Sequence, residues 1–490
     1  MKKYRFLTIL LAFVLLLSLV MPGYAETEPP ADSTESTQEA ATAPEELPDR
    51  FGRPEPLRES IFSTTYKARA KAAVLVELNT NTIVFAQDMD KKLYPASLTK
   101  IMTCMLALEH GNLDDVLTVS DTALQNLNIY GSTVGLLEGE EISLRELLYC
   151  IMISSANEGC NVIAEHISGS IESFVKAMND KAAEIGMKHT HFANTHGLHD
   201  DDHYTTAHDL AVLACWAWQN PQFREFSTTI EHTVPATNLF EERYLHTTNH
   251  LVSTKETDRY YYENAQGIKT GFTTPAGGCL ISTASNGEMA YLTVVCGCET
   301  LYDAESRPLD MRFLETIDLF NFGFRRYDFV QVLSDLAMLE QCQVVNGLSN
   351  RVLVHAAENK EVLLPVDYDP TRVNLRLDYS GGSVLQAPLS EGQKVGTVTA
   401  FYDDIPLASA DLITLNSVQS HQIAQVDAVS EGGDSGIWSD LLHYWYLTVP
   451  FGIVLLLVLL LLIVRWVNVY RAKKRAKRRR RNAARRRTYD

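Results

Sequence analysis

A chain of 490 residues, 46% of them hydrophobic, has length for several domains and a sizeable core, which excludes a small disulfide-stapled scaffold. Its formal charge of −18 is unevenly shared: from Arg465 onward 13 Lys or Arg stand against one acid, so this tail carries +12 and everything before it −30. No folded aromatic platform accompanies the basic run, so it reads as a partner for an anionic membrane surface, and nucleic acid is not an expected ligand.

Residues 1–25 read as a signal peptide. Lys2, Lys3 and Arg5 precede an apolar run from Phe6 to Val20, and Gly23 and Ala25 put small residues at the −3 and −1 positions of a cut after Ala25. The alternative, an uncleaved amino-terminal anchor, has a rather short apolar run to span with. Residues 26–58, rich in Glu, Ala, Thr, Ser and Pro, form a flexible acidic segment with little to bury.

The first folded domain is assigned to residues 59–322. Lys71 to Asn79 and Ile83 to Gln87, joined by Thr80-Asn-Thr, predict a hairpin with Val74, Val76 and Leu78 on one face. Apolar residues Ile101, Met102, Met105 and Leu108 recur at helical spacing and predict a helix starting at Ser97 and ending near His110. Further helices are expected over 142–150, 156–167, 171–185, 206–218 and 311–321, with loops over 194–204 and 258–267 and strands over 278–284 and 289–296. Short segments separated by turn residues predict a small β-rich domain over 323–413, followed by a polar linker over 414–443.

Residues 444–464 are long and apolar enough to cross a bilayer, and the basic tail 465–490 follows at once. The positive-inside bias then predicts a single-pass protein with an extracellular body and a cytoplasmic carboxyl terminus. Eight Cys are scattered without a zinc or disulfide pattern. Cys296-Gly-Cys298 follows Tyr291-Leu-Thr-Val-Val and reads as buried strand, so no metal and no cofactor is expected.

Three clusters carry candidate chemistry. Ser97-Leu-Thr-Lys100 places a hydroxyl and an amine three residues apart, on one helical face. Burial and nearby positive charge would lower the lysine's pKa enough for it to act as a base, and backbone N–H groups at the helix start could donate to a developing oxyanion. SxxK alone is weak, but Ser155-Ala-Asn157 follows 58 residues after Ser97, and Lys269-Thr270-Gly271 follows 172 residues after it. The first offers a hydroxyl and an amide. The second offers groups for a carboxylate and a glycine that lets substrate approach the backbone.

SxxK, SxN and KTG in this order mark the penicillin-binding and β-lactamase group of serine enzymes. More narrowly, the chain resembles the low-molecular-mass penicillin-binding proteins that are serine-type D-alanyl-D-alanine carboxypeptidases. The resemblance rests on Tyr94-Pro-Ala-Ser97-Leu-Thr-Lys100, Asn194-Thr-His-Gly197-Leu, Tyr204-Thr-Thr-Ala-His-Asp209, Asn249-His250-Leu and Gly267-Ile-Lys-Thr-Gly271-Phe-Thr, over roughly residues 60–310. It extends more weakly to Ala387 through Gly396-Thr-Val.

It implies an α+β penicillin-binding/β-lactamase-like transpeptidase fold, then a small all-β domain and one transmembrane helix. It also implies Ser97 as nucleophile and Lys100 as base, with Ser155 relaying a proton and Asn157 holding substrate or ordering Lys100. Lys269 and Thr270 would bind the terminal carboxylate beside Gly271, and the N–H groups of Ser97 and Phe272 would form an oxyanion hole. The implied substrates are peptidoglycan stem peptides, with β-lactam antibiotics as acylating inhibitors.

Two departures stand out: Ala156 where Ser-Gly-Asn is more familiar, and Thr248 where some relatives carry Arg, which shifts carboxylate recognition toward Lys269 or His250. A class A β-lactamase is the enzymatic rival, but the loop near 189–202 holds no Glu suited to deacylation. A catalytically inactive cell-wall-binding protein is the other, opposed by the intact Ser97, Lys100 and Lys269.

Overall fold

The structure, a computed structural model, describes residues 51–421 apart from 53, 126 and 128–130. The expected signal peptide, most of the acidic segment, the linker from 422, the span 444–464 and the basic tail lie outside the described residues. Among the described residues no helix is long and apolar enough to cross a membrane.

The first domain is built on a six-stranded sheet of order β1-β3-β2-β10-β9-β8. Its strands are β1 (Arg58–Glu59), β2 (Ala72–Glu77), β3 (Thr82–Gln87), β8 (Ala265–Thr273), β9 (Gly277–Ser285) and β10 (Ala290–Cys298). The expected hairpin β2–β3 is present, but β2 is buried on both faces rather than one. It lies between β3 and β10, with helices packed against it. Among the described residues, two-stranded antiparallel sheets decorate the domain: β4 (Val116–Thr118) with β5 (Glu141–Ser143), β6 (Glu231–Val234) with β7 (Arg243–His246), and β11 (Thr300–Tyr302) with β12 (Pro308–Asp310).

The helices are α1 (Lys100–His110), α2 (Asp121–Leu124), α3 (Leu144–Ile153), α4 (Asn157–Ser168), α5 (Ile171–Ile185), α6 (Ala207–Trp218), α7 (Pro221–Thr228) and α8 (Met311–Arg326). Local chemistry accounts for several starts. Ser143, Ser170 and Thr206 each accept a backbone N–H of the following turn, so residue 142 belongs to a strand and α3 begins after Ser143. Asn220-Pro221, a capping residue followed by proline at the first helical position, starts α7, a helix the periodicity reading passed over.

α8 packs on β2, β9 and β10, and closes a core of Leu75, Leu280, Tyr291, Val295, Phe313 and Phe320. Each such side chain stabilises the fold by roughly 1.5–3 kcal/mol on burial. α6 packs on β2 and β10 as well, where Val74, Leu292 and Val294 of the alternate register are buried. α8 runs past residue 322 to Arg326, and strand β13 (Tyr327–Leu333) follows directly.

The second domain is all-β. β13 pairs with β16 (Lys360–Pro365), and a six-stranded sheet has the order β17-β19-β20-β15-β14-β18. These strands are β14 (Met338–Val345), β15 (Arg351–Ala356), β17 (Val373–Tyr379), β18 (Val384–Gln386), β19 (Lys394–Tyr402) and β20 (Ile405–Thr414). Alternation on β15 buries Val352, Val354 and Ala356 in its core and exposes or half-exposes the residues between. Val418 and Ser420 still bridge to Leu389 and Gly347, so the domain's pairing extends into the stretch read as linker.

Candidate active site

The turn that carries Ser97 is a 3-10 segment, Ala96–Thr99, and α1 begins only at Lys100. Ala96 has φ +49°, a left-handed conformation that costs a non-glycine residue about 1–2 kcal/mol. Hydrogen bonds hold it there. Thr99 Oγ1 donates to the Ala96 carbonyl at 2.8 Å, and His203 Nε2 lies 2.8 Å from the same hydroxyl. His203 Nδ1 accepts the Ala193 N–H at 2.9 Å, which assigns the ring proton to Nε2 and makes Thr99 its acceptor. Burial pushes His203 down to about 3, so it stays neutral in this role.

Lys100 is fully buried, and its Nζ reaches Ser97 Oγ at 3.0 Å, Asn157 Oδ1 at 2.8 Å and the His196 carbonyl at 2.6 Å. Burial lowers its pKa to about 8, against upward pulls from Cys160 and Glu158. The Cys160 thiol is itself held near 11 by burial and is neutral at working pH, so Glu158 is the opposing charge that counts. A neutral Lys100 has two N–H bonds and one lone pair. Asn157 Oδ1 and the His196 carbonyl can only accept, so they take both hydrogens and the lone pair is left facing the Ser97 hydroxyl.

Ser155 and Asn157 come from the tight connection between α3 and α4. Ser155 takes φ +62° and is buried, whereas Ala156 has φ −55° and ψ 118°, angles that suit alanine. The substitution of Ala for the familiar Gly is therefore accommodated because the left-handed residue is Ser155.

Lys269 stands in the middle of β8. It is 1% exposed, its Nζ donates to the Thr270 carbonyl at 3.2 Å, and burial first, then the Lys100 charge, lower its pKa well below the ordinary lysine value. Thr270 shares a short hydroxyl contact with Thr248. Gly271 packs close against the Ser97 turn: a Cβ there would lie 3.2 Å from the Ser97 backbone nitrogen and from the Pro95 carbonyl oxygen. Residues 97 and 271 thus lie in close backbone packing, with Phe272 following and its ring largely exposed.

The profile of the D-alanyl-D-alanine carboxypeptidase family matches residues 59–300, and that of the penicillin-binding protein 5 C-terminal domain matches residues 327–420. D-alanyl-D-alanine carboxypeptidase DacF of Bacillus subtilis (strain 168) is 31% identical over 346 residues, 70% of this chain and 84% of that protein. The chain belongs to the serine-type D-alanyl-D-alanine carboxypeptidases. D-alanyl-D-alanine carboxypeptidase DacC of Escherichia coli (strain K12) is 29% identical over 77% of this chain and 89% of its own length. The crystal structure of penicillin binding protein 5 from Haemophilus influenzae aligns with a TM-score of 0.53 at 27% identity, covering 73% of this carboxypeptidase and 100% of that chain.

Several contributors to the carboxypeptidase site were not singled out by motif. His196 acts through its backbone carbonyl, which no side-chain pattern reports. Gly197 has φ +90°, and a Cβ on it would lie 1.9 Å from the Ala96 carbonyl oxygen, so only glycine lets this loop close on the Ser97 turn. Thr99, His196 and Gly197 were in view only as parts of signature blocks, and His203 lies just outside one. His250, a sequence candidate for carboxylate recognition, has its ring stacked on Phe313 at 5.0 Å and its Nε2 on Glu256 at 2.9 Å. Cys296 and Cys298 do lie in a buried strand, and all eight Cys are buried and unbridged.

Proposed function

We propose that this carboxypeptidase cleaves the terminal D-alanine from stem peptides with Ser97 as nucleophile and Lys100 as general base. Ser97 Oγ attacks the penultimate D-alanine carbonyl and its proton passes to Lys100 Nζ. The N–H groups of Ser97 and Phe272 receive the developing oxyanion. The C–N bond then breaks, and the proton returns from Lys100, through the Ser155 hydroxyl, to the departing D-alanine amine. Water hydrolyses the Ser97 ester by the reverse proton path and restores the hydroxyl.

Asn157 orders Lys100. The substrate carboxylate binds Lys269 and Thr270, and its negative charge offsets the burial that disfavours a charged Lys269. The observation that carries this reading is the three-way coordination of Lys100 Nζ by Ser97, Asn157 and the His196 carbonyl.

Penicillin-type β-lactams acylate Ser97 by the same route. Labelling with a fluorescent penicillin, wild type beside Ser97→Ala, tests the nucleophile: undiminished labelling of the variant removes Ser97 from the role. Release of D-alanine from a peptide ending in D-Ala-D-Ala tests the activity.

The signal peptide at 1–25, the span at 444–464 and the basic tail support a single-pass membrane enzyme with its catalytic domain outside the cell. Carbonate-washed membranes should retain the full chain and lose one ending at Asp440; release of both rejects the anchor.

A further inference from the structure

Cys279 and Cys296 are buried thiols that the acyl-transfer chemistry does not use, and β9 and β10 bring them together. Leu280 pairs with Val295 and Gly278 with Cys298, so one residue of β9, Cys279, stands against two of β10, Cys296 and Gly297. This is a β-bulge, with Gly297 at φ +72° and the Lys71 stem 2.7 Å from where a Cβ on it would stand. Leu280 and Val295 face the α8 core, so the residues beside them, Cys279 and Cys296, turn together to the opposite face. There the two thiols meet side chain to side chain, the Cys296 S–H donating to the Cys279 sulfur.

That face is the one on which the Ser97 turn rests. Cys279 is in register with Gly271 of β8, and a Cβ on Gly271 would point toward Ala96 and the Ser97 nitrogen. Arg312 ties the same groups together: its Cδ would lie 3.5 Å from a Cβ on Gly278, and its Nη1 donates to the Gly271 carbonyl at 3.2 Å.

The thiols are not equivalent. The hydrogen bond from Cys296 lowers the pKa of Cys279 against its burial, helped by the Gly297 N–H and the Arg312 and Lys71 charges. Every other thiol is raised, Cys296 by the bond it donates and the rest by burial first. Cys279 is therefore the thiolate-forming member, with Cys296 beside it to resolve what forms there.

We infer that Cys279 and Cys296 are a peroxide-oxidisable pair whose disulfide slows acylation at Ser97. The Cys279 thiolate attacks one oxygen of hydrogen peroxide and the O–O bond breaks, leaving a sulfenic acid on Cys279. The hydroxide released takes up the proton that the thiol gave, which makes water. The Cys296 sulfur then attacks the Cys279 sulfur, its proton goes to the departing hydroxide, and a second water leaves. The two electrons lost by the thiols reduce one peroxide to two waters. Peroxide is close to water in size, so it reaches a buried sulfur from which a bulkier disulfide is shut out. The new bond draws β9 and β10 together at the bulge and shifts Gly271, one strand away, against the Ser97 turn. The linking step stands without the Ser97 assignment, and only its effect on acylation rests on that reading.

The test treats the folded full chain with hydrogen peroxide, then denatures it, alkylates it and maps its peptides without reduction. Two of the eight thiols should be lost, and the Cys279 and Cys296 peptides should appear joined. Acylation by a fluorescent penicillin should slow about tenfold, since even a part of an ångström of misplacement is felt in such a step, and dithiothreitol should restore it. The double variant Cys279→Ala, Cys296→Ala should acylate at one rate with and without peroxide. Should it fold poorly, the peptide map and the dithiothreitol reversal decide the matter in the wild type alone. Cys279 and Cys296 both alkylated after peroxide, either one joined to a different cysteine, or acylation unchanged in the joined form overturns the inference. So does a double variant that peroxide slows as much as the wild type. Absence of penicillin labelling in the reduced wild type would instead overturn the Ser97 reading, while the peptide map still decides the disulfide.

Discussion

Replacing Gly197 by alanine tests how closely the loop that coordinates Lys100 rests on the nucleophile turn. The added Cβ would stand 1.9 Å from the Ala96 carbonyl oxygen and 2.9 Å from Thr99 Oγ1, at a residue with φ +90°. Both obstacles to relaxation are local. The Gly197 N–H is held by Asn194 Oδ1 at 2.7 Å, and the Ala96 carbonyl is held by Thr99. Restoring an ordinary contact requires a shift of about 1 Å or more, and a misplacement of that size costs on the order of 10²-fold in a catalytic step.

The left-handed backbone adds about 1–2 kcal/mol and the overpacking about 1–3 kcal/mol, a loss of roughly 2–5 kcal/mol of stability. The assay is the acylation rate with a fluorescent penicillin, measured beside urea unfolding. Acylation within about threefold of wild type, in a variant of unchanged stability, would refute the close approach on which the Lys100 geometry depends.

Acylation should also depend on pH through Lys100, whose pKa lies at about 8. The base acts when neutral, so the acylation rate should fall about tenfold per pH unit below that value and level off above it; a profile flat from pH 6 to 9 would exclude this base. Thr99→Val and His203→Gln should each slow acylation, and the double variant should be little worse than the worse single one, because both act on the Ala96 carbonyl; additive losses in a double-mutant cycle would separate them. Arg243→Ala leaves the buried Glu140 without its partner and should destabilise by ~3–5 kcal/mol in urea unfolding. Burial pushes the Glu140 carboxyl up, but the Arg243 hydrogen bonds outweigh it and hold the pKa below the ordinary 4.5. This part of the stability is present above that value and lost as pH falls through the lowered one, so the acid sensitivity should diminish in Arg243→Ala.

Much of the site was legible in the sequence because its chemistry is carried by side chains at fixed spacings. Ser97 and Lys100 are one turn apart, so their contact is nearly local, and the helical periodicity of 98–110 announces the element that aligns them. The helix over 171–185 was equally readable, since Ser170 caps it, apolar residues repeat through it and Gly186 ends it with φ +91°. The α+β order, helices between an amino-terminal hairpin and later strands, followed from the same patterns. Less legible was β2, whose alternation suggested one buried face. Its position between β3 and β10 buries both, and strand order is a long-range property that no window of residues contains.

The unread part of the site has a common physical cause: it is made of backbone. The His196 carbonyl that takes one hydrogen of Lys100 could belong to almost any residue, and so could the Ala96 carbonyl that Thr99 restrains. What the sequence does record is the sterics around them. Gly197 is required because a Cβ would enter the Ala96 carbonyl, and at Gly271 a Cβ would crowd the Ser97 nitrogen. The two left-handed non-glycine residues of the site are Ala96, next to Ser97, and Ser155, two residues before Asn157. Each costs about 1–3 kcal/mol, and each persists only because surrounding hydrogen bonds and packing over-determine it. The strain is therefore placed where it aims the Ser97 hydroxyl and the Asn157 amide at a single amine, and the buried network of Thr99, His203 and the 194–198 loop is what prevents the turn from relaxing away from Lys100.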